Sequence, residues 1–330
     1  MKTLFTCLVL SVTLYGQAPL SLGTVSDPTA VICPSGFPGG AVCQRLTISC
    51  SGTQDIASTV GYKANRNPSG VGTGKTIFIM NGAPWSAPGL SPFVHQYLND
   101  GYDIVQATWP SRWEETGKAP NLLVAACRPA TLLNWVYRNY APYGLRVHAA
   151  SAGAGALAYA LTWYGLDSEV ATAELDSGPV YSDIVRGCET PAPKPVELIA
   201  SDGTSWFNDP QYVEGSVGHL TTYTGHTCTS NYKTSSTTDE DWRQQSIKAP
   251  GGIRHFPNTH LAGWLCQTAE LTNNAAAQGY LWLSHVTDMN GPVTINAILN
   301  CRGYEEVESG TWESNGVSGF EAILADMEAH

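Results

Sequence analysis

The middle of the chain reads Arg146-Val147-His148-Ala149-Ala150-Ser151-Ala152-Gly153-Ala154-Gly155. Leu145 to Ala150 is predicted to be a strand, and the small and apolar residues from Gly153 to Tyr164 favour a helix, so a tight strand-to-helix turn is predicted at Ser151. A serine on such a turn lies in strained backbone, which requires small residues two positions before and two positions after it. Ala149 and Gly153 occupy those two positions. The stretch therefore predicts a serine presented at the end of a strand.

Strand-like and helix-like segments alternate on both sides of this turn. Upstream, strands are predicted at Thr76 to Met80 and Tyr102 to Thr108, and helices at Ser91 to Asn99 and Pro129 to Tyr140. Downstream, the predicted segments are the strands Val170 to Leu175, Thr259 to Leu265 and Val293 to Leu299 and the helices Asn274 to His285 and Gly319 to Met327. Alternation of this kind predicts an α/β fold with a parallel sheet.

The segments outside this alternation have different compositions. Residues 19–74 contain short alternating runs, among them Arg45 to Ser49 and Ala57 to Tyr62, which predict antiparallel strands. Residues 177–252 are rich in Thr, Ser, Gly, Pro and Asp and have no sustained period apart from a short strand at Val196 to Ala200. Such a segment within the alternating region predicts a cap inserted into the 75–330 domain.

The strand, the A-x-S-x-G turn, the small-residue helix and the surrounding alternation resemble the α/β-hydrolase superfamily, whose elbow usually reads G-x-S-x-G. The likeness covers roughly Lys75 to Met327. It implies a mostly parallel central sheet with helices on both faces and an inserted cap. It also implies that Ser151 is a nucleophile and that the N–H of Ala152 is one oxyanion-hole donor. A second donor is expected from Gly82 and Ala83, after the strand Thr76 to Met80.

The resemblance further implies an acid and then a histidine after the serine along the chain, and two placements are open. In the first, Val196 to Ala200 is a strand of the sheet, Asp202 is the acid and His260 is the base. In the second, Thr259 to Leu265 is the penultimate strand and Glu270 is the acid.

The second placement matches the usual ending of the fold better, but Tyr304 stands where its histidine is expected. A phenol with a pKa of about 10 is mostly protonated at neutral pH, so Tyr304 is no simple substitute for a base. Asp176, directly after the strand Val170 to Leu175, is a third candidate for the acid.

The first 18 residues have the pattern of a cleaved signal peptide. Lys2 is followed by the apolar run Leu4 to Leu14 and by Gly16-Gln17-Ala18, which supplies small residues where a signal peptidase reads them. The mature chain is then expected to begin near Pro19, outside the cytoplasm, in an extracellular or periplasmic compartment.

The cysteine content agrees with export. Of nine cysteines, Cys7 lies in the leader, and the other eight form an even set that allows up to four disulfides. The disulfide candidates are Cys33, Cys43, Cys50, Cys127, Cys188, Cys228, Cys266 and Cys301. Their pairing cannot be deduced from the sequence, although the cluster of the first three predicts a stapled N-terminal segment. No C-x-x-C pair with a matching pair of histidines occurs, which argues against a metal site.

Charge and composition exclude several classes of function. With 17 basic and 28 acidic residues the net charge is -11, so the chain has no overall positive field that would attract nucleic acid or anionic lipid. No Gly-rich dinucleotide loop or P-loop is present, and no cofactor is expected.

The prediction is a secreted serine hydrolase that acts on small or polymeric carboxylic esters. The alternative is a degenerate hydrolase scaffold that binds a ligand or performs lyase or cyclisation chemistry with Ser151 and Tyr304 as proton donors.

Overall fold

A computed structural model describes residues 19–65, 75–82, 86, 88–89, 91–111, 113, 121–141, 143–150, 152–176, 196–199, 205–208, 259–264, 287–288, 291–292 and 319–330. The strands are β1 Thr24–Val25, β2 Thr29–Val31, β3 Val42–Ser49, β4 Ile56–Lys63, β5 Thr76–Met80, β6 Asp103–Thr108, β7 Leu145–Ala150, β8 Val170–Asp176, β9 Val196–Ile199, β10 Ser205–Asn208, β11 His260–Trp264, β12 Thr287–Asp288 and β13 Gly291–Pro292. The helices are α1 Ser91–Asn99, α2 Leu122–Ala125, α3 Cys127–Tyr140, α4 Ala152–Tyr164 and α5 Gly319–Ala329. The predicted helix Asn274 to His285 and strand Val293 to Leu299 lie outside the described residues.

One nine-stranded sheet organises the described part of the chain. Its order is β1-β3-β4-β6-β5-β7-β8-β11, and β2 pairs with β3 beside β1. Strands β6, β5, β7, β8 and β11 run parallel to one another, whereas the pairs β1–β3, β2–β3, β3–β4 and β4–β6 are antiparallel. The N-terminal strands therefore extend the same sheet, because β4 is hydrogen-bonded to β6.

Burial explains the difference between the two halves of the sheet. All five residues of β5 and all six of β7 are buried, as expected for parallel strands with helices on both faces. In β4, buried and half-buried residues alternate along the first five positions, which is typical of a strand with one face partly solvated. The apolar runs in the sequence identified the parallel strands for this reason.

Helices cover both faces of the sheet. Phe93, Val94 and Tyr97 of α1 and Ile323 and Met327 of α5 pack on one face, in a core cluster that also contains side chains of β5, β6 and β7. Helices α3 and α4 pack on the other face, against the alternate residues of the same strands. Every residue of α4 from Gly153 to Tyr164 is buried, and a helix that is apolar all round is expected in such a central position. The prediction of a central sheet that is mostly parallel, with helices on both faces, is confirmed for the central strands β6, β5, β7, β8 and β11.

Two disulfides tie the N-terminal segment to the sheet and to its helices. Cys33–Cys43 closes a separation of 10 residues beside β2 and β3, and Cys50–Cys127 joins the end of β3 to the start of α3 across 77 residues. The clustered cysteines therefore do not pair only among themselves. Cys188, Cys228, Cys266 and Cys301 lie outside the described residues, so their pairing stays a prediction.

Among the residues that the structure describes, no helix is both long enough and apolar enough to cross a membrane.

Candidate active site

The carboxyl ends of the parallel strands meet at one edge of the sheet. Met80 of β5 pairs with Ala149 of β7, Ala150 pairs with Asp176 of β8, and Asp176 pairs with Trp264 of β11. Strand β5 also lies where the chain order of the sheet reverses, because β6 follows on one side of it and β7 on the other. Ligands of open α/β sheets bind at the carboxyl ends beside such a reversal. A functional site is therefore expected beside the end of β7.

Ser151 is the single residue between β7 and α4. The strand ends at Ala150 and the helix begins at Ala152, so the chain reverses from strand to helix within one residue. Ser151 itself lies outside the described residues. The predicted strand before Ser151 and the predicted helix after it are both confirmed.

The small residues around the turn have a visible packing role. A Cβ atom placed on Gly153 would lie 2.6 Å from the carbonyl oxygen of Met80 and 2.6 Å from that of Asn81. Ala149, on the α4 face of β7, is fully buried. The first turn of α4 therefore rests directly on the backbone at the end of β5, and only glycine fits at position 153.

We expect Gly153→Ala to impair both stability and any activity at this edge. Alanine would favour the helix by about 1 kcal/mol, but its Cβ would overlap two backbone oxygens that cannot rotate away, and overpacking of this kind costs typically about 1–3 kcal/mol. The clash should outweigh the gain, and α4 should shift away from β5. Denaturant unfolding and an ester-hydrolysis assay measure the two effects. Gly39→Ala is the control, because a Cβ there would meet nothing within 4 Å; equal results for the two variants would contradict this packing.

The two segments predicted to form an oxyanion hole are neighbours at this contact. Ala152 is the first residue of α4, where backbone N–H groups have no partner within the helix. Gly82 is buried and follows Asn81, whose carbonyl oxygen abuts Gly153. The backbones at 81–82 and 152–153 therefore adjoin at the edge of the sheet. Ala83 lies outside the described residues and remains a predicted donor.

Asp176 is the acid candidate that the described backbone brings to this edge. It is the last residue of β8 and the register partner of Ala150, directly before Ser151. The sequence prediction had placed it one residue beyond the strand, and pairing with Ala150 and Trp264 extends the strand to include it. Glu270 lies outside the described residues, so its role stays a prediction.

The first placement of the acid is inconsistent with the topology. It required Val196 to Ala200 to be a strand of the main sheet, but β9 pairs antiparallel with β10 in a separate two-stranded sheet. Short apolar alternation predicts a strand without indicating which sheet the strand joins. Asp202 falls between the two strands of this hairpin and lies outside the described residues.

His260 is at the opposite end of the sheet from the turn. It begins β11 and pairs with Thr172, which in turn pairs with Arg146. Arg146 lies four residues before Ala150, and four residues of strand span about 13 Å. A catalytic base must approach the proton it removes to about 3 Å or act through one water. The register therefore corrects the prediction that His260 is the base.

His148 is a packing residue. Its ring is fully buried on the α1 face, where its Nδ1 lies 2.9 Å from the Tyr97 hydroxyl and its ring meets that of Phe93 edge-on at 4.5 Å between centroids. The elbow helix α4 lies on the other face of the sheet. His148 therefore faces away from α4, and contacts with α1 account for its position.

A small pocket lies beside the elbow, between the carboxyl ends of β5 and β6 and the second turn of α4. Trp109 and Trp113, which are both buried, line it together with Phe78, Met80 and Ala107 from the strands and Ala156 from α4. The pocket itself could not be predicted, because it depends on how β5, β6 and α4 are juxtaposed.

Within the described ranges, no group of three or more His, Cys, Asp or Glu residues is arranged to hold a metal ion.

The reversed strand order, the direct passage from β7 into α4 and the helices on both faces make this a doubly wound α/β fold, the architecture to which α/β-hydrolases belong. No family model matches the sequence, and no curated protein matches it. Among solved structures, the chain is similar to an acetyl xylan esterase from Paenibacillus sp. R4, at 14% identity over 94% of this chain and 90% of that one with a TM-score of 0.45. It is also similar to Est1E from Butyrivibrio proteoclasticus, at 13% identity over 87% of this chain and 99% of that one with a TM-score of 0.41.

Proposed function

We propose that this chain hydrolyses carboxylic esters through an acyl-enzyme on Ser151. The observation that carries the proposal is the contact of Gly153 with the backbone of Met80 and Asn81, which joins the elbow to the start of the expected oxyanion loop. A serine between a strand and a helix, beside backbone N–H groups, supplies two of the parts that acyl transfer uses, the nucleophile and the oxyanion donors.

The reaction follows from these groups in two steps. Ser151 Oγ attacks the ester carbonyl carbon and loses its proton to a base, while the N–H groups of Ala152 and Ala83 stabilise the oxyanion. When the intermediate collapses, the bond between the carbonyl carbon and the alcohol oxygen breaks and the alcohol leaves with that proton. Water then attacks the acyl-enzyme, which releases the carboxylic acid and restores the serine. Asp176 is our preferred acid for orienting the base, because its backbone pairs with Ala150.

We further propose that the active form is exported after cleavage near Pro19. Pairing of Cys33 with Cys43 and of Cys50 with Cys127 supports this, because disulfides persist in oxidising compartments.

The proposed function is tested by turnover of p-nitrophenyl acetate by the purified, unreduced protein. Turnover that depends on Ser151 supports the proposal, and its absence from folded protein refutes it.

The second candidate function is a scaffold without hydrolytic activity, which the tyrosine at position 304 favours. If Tyr304 occupies a vacant base position, Tyr304→His should create or raise esterase activity by about 10-fold or more, since positioned acid–base catalysis contributes typically about 10²–10⁴-fold. Initial rates on p-nitrophenyl acetate measure this, with Tyr304→Phe as the matched control. An active wild-type protein that Tyr304→His leaves unchanged would show that the base lies elsewhere.

A further inference from the structure

The pocket beside the elbow is apolar and small. Apart from Asn81, the residues that line it are hydrophobic, and it has room for about one water-sized group. An apolar space of this size suits a methyl group better than a water molecule, because a buried water needs two to four polar partners.

The position of the pocket relates it to the elbow. Ala156 lies on α4 five residues after Ser151, and Met80 and Asn81 are the residues whose carbonyl oxygens touch Gly153. The pocket therefore adjoins the start of the expected oxyanion loop at Asn81 and the second turn of α4, one turn beyond Ala152. Under the proposed function, we expect the acyl group bound to Ser151 to lie next to this space.

Contacts with α4 and with Arg128 fix the position of Trp113 in the lining of the pocket. Trp113 is 2% exposed, its ring lies 5.8 Å from that of Tyr159 on α4, and its carbonyl oxygen accepts a hydrogen bond of 3.1 Å from Nη1 of Arg128. Arg128 is 1% exposed, and its Nη2 donates to the carbonyl oxygen of Gln54.

The anchor of Arg128 is itself covalently fixed. The preceding residue on α3, Cys127, is bonded to Cys50, which lies four residues before Gln54. Arg128 thus connects the disulfide-linked segment to the wall of the pocket. Outward movement of Trp113 would strip a buried guanidinium of one of its hydrogen bonds, so the wall is expected to resist expansion.

We infer that this pocket receives the acyl group of the substrate and restricts it to the acetyl group, with Trp113 as a specificity-determining residue and Arg128 as a positioning residue. The inference rests on the proposed esterase function and adds the class of ester to it. An acetyl group places one methyl in the pocket, whereas each further methylene would have to displace a tryptophan that is packed on α4. A single methylene can change specificity by about 10–200-fold at a hydrophobic pocket.

The test compares kcat/KM for p-nitrophenyl acetate, butyrate and octanoate. We expect the unreduced wild-type protein to prefer acetate to butyrate by about 10-fold or more and acetate to octanoate by about 100-fold or more. Trp113→Leu should lower the acetate-to-butyrate ratio by about 10-fold, because it removes the wall. Arg128→Gln should lower the ratio as well, and Arg128→Lys, which keeps a donor, should restore part of it.

Trp163→Leu is the matched control. Trp163 is a buried tryptophan on α4 that does not line the pocket, so its loss should lower stability and leave the acetate-to-butyrate ratio unchanged. If Trp113→Leu fails to fold, the acetate-to-butyrate ratio of Trp113→Phe and the chain-length profile of the wild type still test the inference. Ester turnover with a flat chain-length profile would overturn the inference and leave the proposed function standing. Absence of all turnover from folded wild-type protein would refute the proposed function and the inference together.

Discussion

Replacing Ser151 with alanine is expected to lower the turnover of p-nitrophenyl acetate by about 10³-fold or more. Loss of an activated nucleophile removes the covalent route. The residual rate of the variant then comes only from substrate binding and from the oxyanion donors. Alanine is small enough for the strained turn, and alanine already stands at 150 and 152 on either side. The variant should therefore unfold at the same denaturant concentration as the wild type while losing its activity.

Ser168→Ala provides the comparison for this result. Ser168 is exposed in the turn after α4, and its substitution should change neither stability nor rate. If Ser151→Ala retains more than about a tenth of the wild-type rate, the acyl-enzyme mechanism is wrong, since removal of a triad nucleophile costs several orders of magnitude.

The second large effect concerns the disulfide between Cys50 and Cys127. It closes a separation of 77 residues, for which the chain-entropy relation gives about 4.5 kcal/mol of stabilisation. We expect Cys50→Ser with Cys127→Ser to lower the free energy of unfolding by about 3–5 kcal/mol, measured by denaturant titration. Because Arg128 follows Cys127, the same variant should also loosen the pocket wall.

Cys33 and Cys43 form the matched pair for that experiment. Their separation is 10 residues, for which the same relation gives about 2.7 kcal/mol. Cys33→Ser with Cys43→Ser should therefore cost less stability and leave the acetate-to-butyrate ratio unchanged. A larger loss from this pair than from the Cys50–Cys127 pair would contradict the account of the long link.

Most of the central sheet could be predicted from the sequence because short, largely apolar segments alternate with helical ones along the chain. The predicted bounds of β5 and β7 agree with the structure, and those of β8 and β11 differ at their ends. Helix α3 begins at Cys127, two residues before the predicted start at Pro129, because proline is tolerated in the first turn, where a backbone N–H has no partner within the helix.

The rest depended on information that a local pattern does not carry. His260 was predicted as the base because it follows the serine in the expected order. Its register with Thr172 places it at the amino ends of the parallel strands, away from the carboxyl ends where Ser151 follows β7. Val196 to Ile199 was correctly predicted as a strand, yet only its pairing with β10 shows that it is not part of the main sheet. The link of Cys50 to Cys127 and the burial of Arg128 likewise arise from tertiary contacts between segments distant in sequence.

The central claim is that Ser151 is an activated nucleophile, and covalent labelling tests it most directly. The unreduced, purified protein should be treated with a fluorophosphonate probe, and the site of attachment mapped by peptide mass spectrometry in the wild type and in Ser151→Ala. The account predicts stoichiometric labelling of the wild type at Ser151 and none in the variant. A folded wild-type protein that stays unlabelled, or that is labelled at another residue, would contradict it.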